Sequence, residues 1–213
     1  AKGCDVTGTD CSFFSEAVEA ANQSELVIAA IGERASMSGE DASRADISIP
    51  GVQEELVQAL LDTGKPVVVV LMNGRPLTIS KLTEQVPAIV EGWFLGTETG
   101  NAIADVLLGK YNPSGKLTMS FPRNVGQIPV FYNYRQSGRP GTDKLTKWTN
   151  RFIDSPVSPL YPFGYGLSYT TFSYSAPRVS QKEFSTNEIL KVSVDVTNTG
   201  QYDGCLLYTS DAA

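Results

Sequence analysis

The chain has 213 residues, of which 41% are hydrophobic, and a formal net charge of -6. This length allows one sizeable hydrophobic core and leaves room for a second, small domain. The lysines and arginines do not cluster, which disfavours nucleic acid as a partner and leaves a neutral or small polar ligand. No stretch reaches the roughly 18 apolar residues of a membrane helix, and the first residues lack a signal-peptide pattern.

Histidine is absent from the chain, which excludes Ser-His-Asp and Cys-His catalysis within it because both need an imidazole base. Carboxylates are therefore its natural acid and base groups. The cysteines Cys4, Cys11 and Cys205 lack zinc-ribbon spacing, so we predict no metal site. A disulfide between Cys4 and Cys11 remains open.

The first third of the chain predicts two buried strands with a helix between them. Residues 26–31 form a short apolar run that is typical of a buried strand. A helix is expected over 52–61, between Pro50 and the helix-ending Gly64. Residues 66–72 then predict a second strand, whose four valines are apolar on both faces, as a parallel sheet covered by helices requires.

The next segment repeats this alternation. Residues 88–93 predict a third strand and residues 101–108 a helix, with Ile103, Val106 and Leu107 facing inward. Strands that alternate with helices indicate an α/β fold, here a mostly parallel α/β sandwich. In such folds the ligand-binding loops follow the carboxyl ends of the strands.

The last third of the chain does not continue this alternation of strands and helices. Residues 122–168 lack periodicity and predict a long ordered loop region. Apolar and polar residues alternate over 190–197, which is typical of a half-exposed strand and predicts the first strands of a small β-sandwich domain. We therefore place an α/β domain at 1–175 and the start of a truncated β domain at 176–204.

Residues 205–213 break off this alternation and have no turn or strand pattern of their own. Their sequence resembles the translation of a transposase-type sequencing adapter appended to a metagenomic read. We predict that they are not natural protein and that Cys205 has no structural meaning. The alternative is a genuine strand in which Leu206, Leu207 and Tyr208 pack.

The loop at 32–50 concentrates carboxylates, hydroxyls and two arginines directly after a buried strand. Gly39 allows a tight turn that projects Glu40. A glutamate on a loop suits glycosidic bond cleavage, which needs two carboxyl groups, and Glu33 is the other nearby candidate. Charge density alone favours a solvated surface loop.

Four segments of the chain are similar to the second domain of family 3 glycoside hydrolases, most closely to bacterial periplasmic β-glucosidases. They are Gly39-Glu40 with 44–50, the strand and turn at 67–76, the run at 91–122, and the aromatic stretch at 161–169. Residues 190–200 similarly resemble the start of that family's fibronectin type III-like domain.

The resemblance implies a retaining exo-acting β-glycosidase that needs no cofactor. Its nucleophile is an aspartate on an N-terminal TIM-barrel domain, which this chain lacks and which would be its partner, together with an oligosaccharide or β-glycoside substrate. The family's general acid/base is a loop glutamate that matches Glu40, with Glu33 as the competing candidate. Arg44 and Asp46 are candidates for steadying the loop or, together with Glu33, for binding the sugar; alternatively they form an ion pair with each other or with the barrel. The family also implies a periplasmic or secreted protein.

Three further residues have structural and functional interpretations. Trp93 follows a strand and is expected in the core rather than as a sugar-stacking platform. Trp148 is expected to be a packed loop anchor or to line a subsite, and Glu98 to stabilise a helix N-terminus.

Two other function classes remain open from the sequence. One is a non-catalytic carbohydrate-binding or interface module derived from such an enzyme, for which a start codon and signal peptide directly before Ala1 would argue. The other is a nucleotide-binding α/β domain, which is disfavoured because no Gly-x-Gly-x-x-Gly or P-loop pattern follows a strand.

Overall fold

The computed structural model describes residues 1–135, 138–142 and 148–206. The chain divides into two compact units. The first unit consists of Ala1–Gly100 and Leu117–Tyr165, and the second of Asn101–Lys116 and Gly166–Ala213. The predicted domain limits remain a prediction. So does the adapter origin of 205–213, of which residues 207–213 lie outside the described part.

The first unit contains a sheet of three parallel strands in the order β1-β2-β3. The strands are β1 at Val27–Gly32, β2 at Val67–Met72 and β3 at Ala88–Glu91. The central position of β2 explains its run of valines, since a strand with a neighbour on each side and packed faces has little contact with water. The three predicted strands are confirmed, although the third ends at Glu91, two residues earlier than expected.

Helices alternate with these strands, which confirms the α/β fold class. The helix predicted over 52–61 is α2 at Gln53–Leu61. The chain also forms α1 at Phe14–Asn22 and α3 at Ser80–Gln85, which the sequence did not predict. In α1 the apolar residues Phe14, Ala17, Val18 and Ala21 recur at helical spacing, so a signal was present in the sequence, whereas the six-residue α3 buries only one leucine, Leu82.

The core of this unit lies around β2. In the sheet register, Val27 lies opposite Val67 and Val68 lies opposite Ala88. The side chains without exposed surface include Val57 of α2 together with residues of β2 and of the turn that follows it; they are Val57, Val67, Val69, Leu71, Leu77 and Asn73. Asn73 is the exception among these apolar residues, and it lies where β2 ends.

Gln53 closes the base of the long loop between β1 and α2. Its buried amide accepts a hydrogen bond from the Gly32 nitrogen at 2.8 Å and donates to the carbonyls of Gly32 and Pro50 at 2.9 and 2.8 Å. The side-chain nitrogen Nε2 of Gln53 also donates to the Val6 carbonyl at 3.1 Å. One side chain thus joins the end of β1 to the start of α2.

The long loop region predicted at 122–168 is ordered where the structure describes it. Phe121 is almost fully buried, and its backbone pairs with that of Tyr161 in an isolated antiparallel β-bridge. A single turn of 3-10 helix covers Val125–Gln127, and the Gln127 amide donates to three successive carbonyls, those of Pro156, Val157 and Ser158. The loop is therefore held by side-chain hydrogen bonds to its backbone.

The second unit includes most of α4, the helix at Thr99–Leu107. A helix was predicted here, with Ile103, Val106 and Leu107 facing inward. These three side chains are only half-buried. Tyr169 of the same unit donates its hydroxyl to the Val106 carbonyl at 2.9 Å, and the apolar side of α4 stays partly exposed.

Four short strands complete the second unit as two antiparallel pairs. Strand β4 at Phe172–Tyr174 pairs with β7 at Val196–Asn198, and β5 at Arg178–Val179 pairs with β6 at Val192–Ser193. The single alternating strand predicted near 190–197 is thus divided into β6 and β7. Of its apolar positions Leu190 is half-buried as expected, whereas Val192, Val194 and Val196 are exposed.

Candidate functional site

The carboxyl ends of the three parallel strands meet at one edge of the sheet in the first unit. Glu33 follows β1, Asn73-Gly74-Arg75 follow β2, and Glu91 ends β3. This is the edge at which an α/β sheet presents its ligand-binding loops. We call residues 34–48, which leave this edge after Glu33, the acidic loop.

Glu33 is the centre of an ion-pair cluster at this edge. Its side chain has no exposed surface. Arg44 Nη1 lies 2.6 Å and Arg75 Nε 3.1 Å from its Oε1, while the Gly74 nitrogen donates to its Oε2 at 3.3 Å. Both carboxylate oxygens are therefore occupied within the chain.

The two arginines extend from Glu33 to the backbone of the acidic loop. Arg75 Nη2 donates to the carbonyls of Met37 and Ala42, and Arg44 Nη2 donates to that of Ser48 at 3.0 Å. A guanidinium can make these bonds together because its donors form a rigid planar fork. Arg75, which the sequence did not single out, therefore contacts the acidic loop at two points.

Glu40 lies on the exposed tip of the acidic loop. The residues on either side have left-handed backbone angles, with φ of 114° at Gly39 and 59° at Asp41. The tight turn expected at Gly39 is therefore present. The Glu40 carboxylate forms no hydrogen bond or ion pair with the described residues.

Asp46 is exposed and ends the acidic loop as a local backbone cap. Its Oδ1 accepts a hydrogen bond from the Ser48 nitrogen at 2.9 Å, and this bond holds the pKa of Asp46 below its usual range. The ion pair considered between Arg44 and Asp46 does not form in the described structure, because Arg44 binds Glu33 instead. The alternative of a role in sugar binding remains a prediction for both residues.

Glu91 is a half-buried residue that the sequence did not single out. Burial raises the pKa of Glu91 to about 8. Two neighbours act against this shift and lower the pKa: the Trp93 nitrogen, which donates to Oε1 at 3.0 Å, and the Asn73 side chain. Glu91 Oε2 and Asn73 Oδ1 are both buried without a partner in the part of the chain that is described. A charged residue at the end of an otherwise apolar strand was the only signal in the sequence.

The remaining candidates, Trp93, Trp148 and Glu98, lie outside the acidic loop. Trp93 packs against Phe121 with ring centroids 5.8 Å apart, which confirms its place in the core. Trp148 is 69% exposed, with the Arg139 guanidinium 5.9 Å from its ring centroid, so the expectation of a packed anchor was wrong. Glu98 lies in the turn directly before α4, at the helix N-terminus as expected.

The cysteines form neither a disulfide nor a metal site in the described residues. Cys4 and Cys11 have free thiols, so no disulfide joins them. No group of three or more His, Cys, Asp or Glu side chains converges on a common point in residues 1–135, 138–142 and 148–206. No helix in the same residues is long and apolar enough to cross a membrane.

Comparison with known proteins identifies the family. The model of the glycosyl hydrolase family 3 C-terminal domain matches residues 9–169, which is most of the chain. The chain belongs to glycosyl hydrolase family 3. This chain is 53% identical to the periplasmic β-glucosidase of Salmonella typhimurium over 194 residues, which is 91% of this chain and 25% of that protein. It is 48% identical to a β-xylosidase of Formosa agariphila, over 96% of this chain and 27% of that protein.

Solved structures of family 3 members support the fold. The β-glucosidase of Listeria innocua in complex with isofagomine superposes with a TM-score of 0.86 at 41% identity, over 92% of this chain and 27% of that one. The same enzyme in complex with glucose superposes with a TM-score of 0.85. The chain thus spans about a quarter of the length of the family 3 proteins that it matches.

Proposed function

We propose that the whole protein to which this chain belongs hydrolyses terminal non-reducing β-D-glucosyl or related residues, with net retention, and that this chain supplies Glu40 as general acid/base. The observation that carries the proposal is the state of Glu40. Its carboxylate is exposed and unpaired in the described structure, on a loop that is anchored on both sides. The proposed sugar class is supported by relatives that include a β-glucosidase and a β-xylosidase.

The chemistry of a retaining glycosidase assigns Glu40 two proton transfers. In the first step its carboxyl group donates a proton to the glycosidic oxygen while a carboxylate attacks the anomeric carbon and forms the glycosyl-enzyme. In the second step its carboxylate takes a proton from the water that releases the sugar. The nucleophile would be an aspartate of the N-terminal barrel, and no cofactor takes part in either step.

Glu33 is the less suitable acid/base. Its oxygens are occupied by Arg44, Arg75 and the Gly74 nitrogen, and its side chain has no exposed surface. A general acid has to come within hydrogen-bond distance of the leaving oxygen. Glu33 offers no surface to a substrate, whereas Glu40 does.

Two further proposals concern the activity of this chain alone and the location of the whole protein. This chain alone is expected to be inactive, because one carboxyl group without the nucleophile supplies only part of the transition-state stabilisation. The similarity to a periplasmic β-glucosidase supports a periplasmic or secreted location for the whole protein.

The test compares Glu40→Ala and Glu33→Ala in the full-length protein, on a dinitrophenyl β-glucoside and on an alkyl β-glucoside. The alkyl substrate needs an acid for departure and the dinitrophenyl substrate does not. We expect Glu40→Ala to lower turnover of the alkyl substrate about a hundredfold or more. Added azide should restore turnover of the dinitrophenyl substrate with glycosyl azide as product.

The product with azide separates the two glutamates. We expect Glu33→Ala to weaken the fold through two lost ion pairs and to produce no glycosyl azide. If only Glu33→Ala forms glycosyl azide, the assignment to Glu40 is wrong. Unchanged turnover in both variants would instead support the non-catalytic carbohydrate-binding or interface module.

A further inference from the structure

The acidic loop that carries Glu40 is held by side chains that lie outside its tip. Arg75 comes from the turn after β2, and Glu33 from the end of β1. Gln53, at the start of α2, closes the base of the loop by binding Gly32 and Pro50. Side chains from the ends of β1 and β2 and from α2 therefore determine where the loop begins, turns and ends.

Arg75 makes the contacts nearest to Glu40. Its Nη2 donates to the carbonyl of Met37, three residues before Glu40, and to that of Ala42, two residues after it, the latter at 2.9 Å. One guanidinium thus bridges the base of the turn on which Glu40 lies. Glu33 holds the opposite side of that guanidinium through Nε at 3.1 Å.

The turn after β2 also packs directly on the acidic loop. A Cβ atom placed at Gly74 would lie 2.0 Å from Ser38 Oγ and 2.8 Å from Phe94 Cε2. Ser38 is two residues before Glu40, so the close approach at Gly74 limits movement of the same turn. Arg44 restrains the far end of the loop through Ser48.

These contacts are suited to holding a loop in one position. Charge-assisted hydrogen bonds are stronger than neutral ones, and a buried carboxylate that pairs with a guanidinium fixes its orientation. The exposed fraction of the Arg75 side chain is only 19%, so solvent competes weakly for its donors. Glu40 itself has no partner in the described structure, and its position therefore depends on the backbone on either side.

We propose that Arg75, oriented by Glu33, is a positioning residue that places the Glu40 carboxyl group for proton transfer to the glycosidic oxygen. This inference rests on the proposed acid/base role of Glu40. Arg75 acts through the backbone at Met37 and Ala42 and does not contact the reacting atoms. Its loss should therefore impair the step that needs an acid and spare a step that does not.

The experiment measures kcat/KM of full-length Arg75→Ala on the alkyl and the dinitrophenyl β-glucoside. We expect a loss of about tenfold to a hundredfold on the alkyl substrate, in the range that a small misplacement of a catalytic group produces. The loss on the dinitrophenyl substrate should be less than about threefold, because that leaving group departs without an acid. In a Glu40→Ala background, Arg75→Ala should have no further effect on the alkyl substrate.

Arg123→Ala is the matched control, since it removes another arginine that donates to a backbone carbonyl, that of Ser158 at 3.0 Å, outside the acidic loop. We expect it to affect both substrates equally. Arg75→Lys keeps a cation beside Glu33 but lacks the planar fork, so it should show the same selective loss as Arg75→Ala, and it allows the measurement if Arg75→Ala does not fold.

Two results overturn the inference. One is an equal loss on both substrates in the arginine variants, and the other is a full additional loss in the Glu40→Ala background. Either result, with Glu40→Ala still selective for the alkyl substrate and rescued by azide, rejects the role of Arg75 alone. If Glu40→Ala shows neither selectivity nor rescue, the proposed function fails and this inference fails with it.

Discussion

At the scale of single residues, Glu91 and Glu33 show how surroundings give the same carboxyl group different properties. Glu33 has two arginines and a backbone nitrogen within hydrogen-bond distance, so its charge is compensated. Glu91 has no cation as a partner, and its Oε2 is buried beside Asn73 without a hydrogen bond in the described structure. Burial without a compensating charge favours the protonated acid.

The raised pKa of Glu91 makes folding depend on pH. The pKa is about 8 in the folded chain and 4.5 for the unperturbed group. Between these two values the folded state binds more protons than the unfolded state, so stability falls as the pH rises through this window. The stabilising effect of the neutral acid is complete below about pH 4.5 and is lost by about pH 8.

We predict that Glu91→Gln removes this pH dependence. A glutamine is neutral at every pH, keeps an acceptor for the Trp93 nitrogen and adds a donor for Asn73 Oδ1. Its stability relative to the wild type should rise with pH between 4.5 and 8, by up to about 1.4 kcal/mol per pH unit. Urea unfolding of the chain at a series of pH values measures the difference.

Glu84→Gln on the exposed side of α3 is the control for the loss of one negative charge. If Glu91→Gln and Glu84→Gln follow the same curve against pH, burial of Glu91 does not determine the pH dependence.

At the scale of elements, the acidic loop is ordered by contacts to α2, to β2 and to the turn after β2. Its base is closed by Gln53 of α2, its turn is bridged by Arg75 after β2, and its start is paired with β2 through the Glu33 nitrogen and the Met72 carbonyl at 2.8 Å. A loop of this length would otherwise retain considerable conformational freedom. Its order therefore depends on partners from these elements as well as on its own residues Arg44 and Asp46.

We predict that Gln53→Met destabilises the first unit. Methionine has a similar size but no hydrogen-bonding groups, so the buried Gly32 nitrogen and the carbonyls of Gly32, Pro50 and Val6 lose their common partner. Unsatisfied buried groups cost about 1–3 kcal/mol in free energy of unfolding. Denaturant unfolding measures this loss.

Gln58→Met, in the same helix, removes glutamine hydrogen bonds at an exposed site and should change stability by less than about 0.5 kcal/mol. Equal effects of the two substitutions would contradict the role of Gln53.

At the scale of the whole chain, the second unit leaves apolar strand residues exposed to solvent. Val192, Val194 and Val196 are 62%, 47% and 40% exposed, and the strands that contain two of them are two or three residues long. Short strand pairs bury too little apolar surface for independent stability, and uncovered edges favour association with other chains.

We predict that this chain self-associates through the second unit. Replacing the three exposed valines by threonine keeps the β-branched shape and lowers the apolar surface. The variant should therefore show less concentration-dependent light scattering than the wild type. The same substitution at Val125, which is 40% exposed in the first unit, is the control and should have little effect. Equal scattering of the valine variant and the wild type would rule out this surface.

Much of the first unit could be predicted from the sequence, because its signals are local. The apolar runs of β1 and β2 and the helix-ending glycine after α2 act over a few residues, and the prediction placed those elements within one or two residues. The composition also directed attention to carboxylates, because the chain has no histidine. Glu40 was singled out as a candidate from the glycine before it and from the family resemblance.

The tertiary structure alone decided which polar groups meet. Glu33 and Arg75 are 42 residues apart in sequence, and Gln53 lies 21 residues from Gly32, so no local pattern predicts either contact. The same holds for Glu91, whose pKa depends on burial that only the packed sheet creates. Sequence periodicity reports which side of an element is apolar, whereas charge compensation depends on which elements the fold brings side by side.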